Sequence, residues 1–292
     1  MKTRVGMDLA GALGCAGFSA VLGFNQVVVK ITNGGFSPVF AAGLRSLLAL
    51  AVLALWMGWR GWKSPGTARA TPGLLLLGAL FSAEFLCLFL ALDRTTVSRA
   101  SILLYCMPVW LALTAHLWLP DERLSLPRAL GLGLAVAGVC WTLYDPASRN
   151  AGDWTGDLLA LVASFCWTGI ALTLRLSRAS EVTPEWQLTA QLGISALVLT
   201  AVAPLFGPLL RTPGALEFAA LGFQGILVAG LGFLFWLFLM KRYRASDVAA
   251  FSFLSPVLAV GFGWALLDEP VGPAFLGALS LVAVGILLVN RR

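Results

Sequence analysis

Apolar stretches the length of a membrane span follow one another along this chain with little between them. A hydrocarbon core about 30 Å thick takes about 20 apolar residues in helix to cross. Ten stretches meet that length, at 7–30, 36–58, 71–92, 96–118, 125–144, 155–178, 185–206, 214–240, 247–267 and 271–290. The connections are short and carry Gly, Pro, Asp or Arg, as in "NGGFSP" and "YDPASRNAGD". A spanning β-barrel would need strands of about 10 residues that alternate apolar and polar. Runs such as "LLLLGALF" and "GILVAGLGFLFWLFLM" do not alternate. The residues are 59 % apolar and 12 % charged, where soluble domains average about 45–50 % and about 25 %. The chain therefore reads as an all-α integral membrane protein of ten transmembrane helices, with no separate soluble domain.

Lys2 and Arg4 precede the first apolar stretch, as in a signal peptide. Asp8 interrupts that stretch, and the apolar run continues to Val29, longer than a signal peptide needs. A retained first helix is expected. With the N-terminus inside, fourteen of the 20 Lys and Arg fall on the inner side. Five fall outside (Lys30, Arg94, Arg99, Arg149 and Arg211), and Arg45 lies within a span. That asymmetry places both termini in the cytoplasm of a multi-pass plasma-membrane (inner-membrane) protein. It assigns the net charge of +6 to the inner lipid surface, so nucleic acid is not needed to explain it. Cys15, Cys87, Cys106, Cys140 and Cys166 all fall within apolar spans, with no CxxC pair, and read as small packing residues. No cofactor motif or metal-ligand cluster is visible.

The chain repeats itself at an offset of about 145–148 residues. "LLYCMPVWLAL" parallels "FSFLSPVLAVG", with Pro108 over Pro256. "LPDERLSLPRALGLG" parallels "LLDEPVGPAFLGAL", with Asp121-Glu122 over Asp268-Glu269. "VVVKITNGGFSP" parallels "LTLRLSRASEVTP", with Lys30 over Arg175. Residues 1–147 and 148–292 then form two five-helix repeats. An odd number of spans per unit turns the second copy upside down. Inverted repeats are a recurring plan of secondary transporters, with the substrate site near the midplane where the halves meet.

"LGFNQVVVK", the Pro38 to Arg45 segment, "LALDRTTVSRASILLYCMPVWLAL", "DER" and their second-half echoes resemble the EamA branch of the drug/metabolite transporter superfamily over nearly the whole chain. Leu22 stands where family members often carry Trp; the second half keeps Trp167. The resemblance implies a central cavity walled by the first, third, fourth, sixth, eighth and ninth spans, with the fifth and tenth peripheral.

Positions three or four apart share a helix face. On that spacing the candidate cavity residues are Ser19, Leu22 and Gln26 on span 1; Phe81 and Glu84 on span 3; and Ser101 and Tyr105 on span 4. Spans 6 and 9 add Ser164, Trp167 and Phe253. Trp56, Trp59, Trp62, Trp118, Trp141, Trp154 and Trp186 fall near span ends, where aromatic belts form. Pro108 and Pro256 sit inside spans, where each removes a donor and kinks its helix. They are candidate flexing points as well as static kinks.

Glu84 is a lone carboxylate in "LFSAEFLCLF". Counting at 1.5 Å per residue puts it about 12 Å from the outer surface, and Arg45 of the neighbouring span about 13–14 Å deep. Intramembrane charges face the bundle interior and pair. Three roles stay open: bracing against Arg45, receiving a substrate amino group, and exchanging protons. The expected function is export of small amphipathic metabolites, above all aromatic and other apolar amino acids, by alternating access. Export of drugs or other metabolites, and a channel-like facilitator, are the alternatives. An intramembrane enzyme would need HExxH, GxSxG with His, or paired aspartates. None occurs, and His116 is the single histidine. The sequence leaves substrate range, energy coupling and oligomeric state open; a monomer fits it.

Overall fold

A computed structural model describes residues 8–61, 68–118, 126–144, 153–243, 251 and 254–290. Among them the chain is helical and forms no strand, and an isolated bridge joins Phe36 to Leu210. The helices are α1 (Leu9–Gly35), α2 (Pro38–Arg60), α3 (Thr71–Arg94), α4 (Val97–Leu104), α5 (Met107–Trp118) and α6 (Leu126–Tyr144). They continue as α7 (Trp154–Leu176), α8 (Pro184–Val202), α9 (Ala215–Gly222), α10 (Phe233–Arg242), α11 (Leu254–Leu267) and α12 (Pro273–Asn290). A π-helical segment, Phe223–Gly232, joins α9 to α10 into one continuous rod. Seven helical stretches among the described residues are long and apolar enough to cross a membrane. Three shorter apolar helices lie at Ala129–Trp141, Leu254–Leu267 and Phe275–Gly285.

Local chemistry sets the helix starts. Asp8 caps α1 by accepting from the Gly11 N–H at 2.7 Å, and Thr96 caps α4 through the Arg99 N–H at 3.1 Å. Pro38, Pro184 and Pro273 open helices at the position where a missing N–H costs nothing. Around Pro108 the fourth span is divided as well as bent: α4 ends at Leu104, Tyr105 and Cys106 form a turn, and Pro108 is the second residue of α5. Pro256 is buried in the first turn of α11.

The strongest packing partners are α6 with α12, α3 with α7, α2 with α8 and α1 with α11. Small residues let these backbones approach, as is usual between membrane helices. A Cβ on Gly285 of α12 would sit 2.6 Å from the Gly131 carbonyl and the Ala135 nitrogen of α6. Ser46 of α2 and Ser195 of α8 face each other at 3.0 Å. Phe36, where α1 meets α2, marks one end of the bundle, and Arg60, where α2 ends, marks the other.

A central cavity open towards one end

The Phe36 end is held shut by polar contacts from both halves of the chain. Glu269, 5 % exposed, accepts from the Val97 N–H at 2.6 Å, the Ser98 N–H at 2.9 Å and the Ser98 hydroxyl at 2.7 Å. A carboxylate at the first turn of α4 also meets the positive end of that helix dipole. Arg99, read from the sequence as an outer basic residue, is buried: its Nε donates to both Asp157 oxygens at 3.0 and 3.1 Å, and its Nη2 pairs with Asp157 as well. The Thr95 hydroxyl donates to the same carboxylate at 2.8 Å. Lys30 Nζ donates to the Thr95 carbonyl. Arg211 clamps Asp93 with two bonds, at 2.7 and 3.1 Å, and reaches the Asn33 carbonyl at 3.1 Å.

At the other end the described residues leave open space. A recess of about 470 Å³ lies between α2, α8 and α10, against Trp56, Arg60, Glu185 and Trp186. Trp56 and Trp186, expected as belt residues, line this recess. It adjoins a deeper cavity of about 320 Å³ through Leu237 and consecutive residues of α8. The deeper cavity holds Leu22, Asn25 and Gln26 of α1, Arg45 of α2, Phe81, Glu84, Phe85 and Leu88 of α3, and Leu104 and Tyr105 at the α4 break. Trp167 of α7, Gln187 and Gln191 of α8, and Phe233 and Trp236 of α10 also line it. Trp167 meets Tyr105 edge to face at 5.7 Å.

Arg45 and Glu84 share this wall within Coulombic reach of each other, yet they form no direct ion pair. The Arg45 guanidinium instead lies 4.0 Å over the centre of the Phe85 ring, a cation–π contact. Its Nε and Nη1 have no hydrogen-bond partner, although the residue is only 1 % exposed. Bracing of α2 against α3 by this pair is therefore replaced, in this state, by stacking on Phe85.

Of the residues singled out by spacing, Leu22, Gln26, Arg45, Phe81, Glu84, Tyr105 and Trp167 meet at the cavity. Ser19 lies elsewhere, donating to the Phe251 carbonyl at 2.7 Å. Ser101 and Ser164 are fully buried, without partners for their hydroxyls, and do not line it. Pro108 and Pro256 also lie off it. Phe253 lies outside the described residues, and no described residue of α11 lines the cavity. The wall assignment needs correction at α2 and α8, both of which contribute. Arg45 was legible as a buried charge, but Gln187 and Gln191 were not: a four-residue polar spacing near a span end looks like an ordinary solvated edge. Cys140, expected as a packing residue, is exposed on α6.

Known proteins place this architecture. A 25 % identical relative, the "Probable amino-acid metabolite efflux pump" of Escherichia coli (strain K12), aligns over 90 % of this chain and 89 % of its own length. The "S-adenosylmethionine/S-adenosylhomocysteine transporter" of Chlamydia trachomatis serovar L2 is 24 % identical over 88 % of this chain and 81 % of its own. A solved chain described as "Crystal structure of protein" superposes with a TM-score of 0.67 at 21 % identity, covering 95 % of this chain and 98 % of that one, and so shares the fold. The EamA-like transporter family model matches twice, at residues 9–144 and 154–291. The chain is a membrane transporter protein belonging to the EamA-like transporter family.

Proposed function

We propose that this protein exports aromatic and other apolar amino acids by alternating access, and that the structure captures its inward-open state. The observation that carries the reading is the central cavity. Phe81, Phe85, Tyr105, Trp167 and Trp236 line it with aromatic rings, while Arg45 and Glu84 add one basic and one acidic side chain. Aromatic rings bury large apolar area and favour ring-on-ring contacts, which suits an aromatic side chain. Within the family, the chain is similar to the bacterial aromatic amino acid exporter YddG.

The reading includes ten spans arranged as two inverted repeats, 1–147 and 148–292. The pairing pattern supports it. A twofold axis exchanging the halves maps the α2–α8 and α6–α12 pairs onto themselves, and those are two of the closest pairings. It maps α1 with α11 onto α7 with α4 and α5, which also pack together. The excess of Lys and Arg at the Arg60 end makes that end cytoplasmic. The protein then sits in the inner membrane with both termini inside, and its cavity opens to the cytoplasm where an exporter loads.

Counterflow in proteoliposomes tests this. Liposomes preloaded with phenylalanine should take up labelled phenylalanine and tryptophan, and a panel run with and without a pH gradient should show whether protons are coupled. Uptake of polar and aromatic solutes at equal rates, without trans-stimulation, would point instead to a channel-like facilitator. Transport of other metabolites alone would displace the amino-acid reading.

A further inference from the structure

Two ionisable side chains in the cavity wall have no hydrogen-bond or ion-pair partner among the described residues. Arg45 keeps unused N–H donors at 1 % exposure. Glu84, at 6 % exposure, has no hydrogen bond or ion pair to a described residue. An unpaired charge in an apolar setting is costly. Here the two side chains are not bonded to each other, a cavity lies against both, and the Arg45 guanidinium is held in place by the Phe85 ring. The space of about 320 Å³ is at the small end of the ~300–1,000 Å³ range of small-molecule sites. It suits one compact guest.

We propose that Arg45 and Glu84 are the two halves of a zwitterion site: Arg45 donates to the carboxylate of an α-amino acid and Glu84 accepts from its ammonium group. The side chain of the guest then lies among Phe81, Tyr105 and Trp167. This inference rests on the amino-acid export reading and adds to it the groups that recognise the common backbone of every such substrate. Planar guanidinium donors match a carboxylate better than an ammonium point charge does, which accounts for arginine on α2. The separation of the two charges matters as much as their presence. Were they bonded to each other, a zwitterion would have to break that pair before binding.

The test uses the full-length protein in lipid nanodiscs and three probes: phenylalanine, 2-phenylethylamine without the carboxylate, and 3-phenylpropionate without the ammonium. Binding is read by isothermal titration. The wild type should bind phenylalanine about tenfold to a hundredfold more tightly than either single-charge probe, the range set by one lost charged hydrogen bond. Arg45→Gln should abolish the preference over 2-phenylethylamine and keep the preference over 3-phenylpropionate. Glu84→Gln should do the reverse. Arg45→Lys, which keeps the charge and loses the planar fork, should fall between and guards against a misfolded Arg45→Gln. Equal binding of all three probes by the wild type overturns the proposal. So does full discrimination by both folded variants, and in that case counterflow of amino acids continues and the export reading stands. If the wild type neither binds phenylalanine nor exchanges any amino acid in proteoliposomes, the export reading falls first and this inference with it.

Discussion

At the residue scale, the clearest energetic statement concerns Arg99 and Asp157, each 3 % exposed and joined by several bonds. Removing one member of a buried ion pair leaves the other charged and unpaired, at a cost of about 3–5 kcal/mol. Arg99→Ala should therefore lower the melting temperature of the purified protein sharply, and Asp157→Asn in the Arg99→Ala background should recover part of the loss. An exposed carboxylate behaves differently. Asp153 caps α7, and the Thr155 hydroxyl and backbone N–H both donate to it, holding its carboxyl below the usual range. A depressed folded value means the cap is in place above the unfolded pKa, about 3.9, and is lost as pH falls through the lower folded value. Protection of the first-turn amides of α7, measured relative to the intrinsic exchange rate at each pH, should thus fall on acidification below about pH 4. Asp153→Asn, which cannot ionise, should show no such step.

At the scale of helices, two glycines of α1 make opposite predictions. A Cβ on Gly23 would lie 2.9 Å from the Ser255 carbonyl and the Ala259 nitrogen of α11, both backbone atoms that cannot swing aside. Gly23→Ala should cost about 1–3 kcal/mol by overpacking, read as a lower unfolding midpoint. Gly17 has nothing within 4 Å of its Cβ position. Gly17→Ala should be neutral or slightly stabilising, because alanine is the better helix former. The break at Tyr105–Cys106 belongs to the same scale. It turns the chain at the cavity wall, so Tyr105 reaches Trp167 while Pro108, one turn on, points elsewhere. Pro108→Ala should leave substrate affinity unchanged in a binding titration. Any loss of transport rate with affinity intact would assign Pro108 to the conformational step.

For the whole molecule, the contacts at the Phe36 end would have to part in the alternating-access cycle proposed above, which makes them a latch under that proposal. Glu269 binds the start of α4 from the far end of the chain, and Gly263 leaves the room it needs: a Cβ there would meet the carboxylate oxygen at 2.6 Å. Glu269→Gln and Gly263→Ala should both weaken the latch and shift the population towards outward-open. A cysteine placed at Thr96, 7 % exposed, should then react faster with a membrane-impermeant thiol reagent added outside, in a background lacking the five native cysteines. Unchanged labelling in both variants would show that closure at this end does not depend on Glu269.

The sequence by itself determined the membrane class, the helical architecture, the duplicated pattern and the resemblance to its family. Each of these is written in one dimension: span length follows from bilayer thickness, and repeats and motifs are local strings. Helical spacing also picked out several cavity residues, Gln26, Glu84, Tyr105 and Trp167 among them, because a face is a local property. What the tertiary structure decided is partnership. Arg99 looked like an exposed outer charge until packing brought Asp157 against it, 58 residues further on. Glu269 looked like part of a loop motif until it met α4, 171 residues away from Ser98. Arg45 and Glu84 looked like a pair at matching depth, but Phe85 occupies the place beside the guanidinium. Depth along a helix axis can be counted from the sequence. Rotation about that axis, and which helix lies opposite, are fixed only when the whole bundle packs.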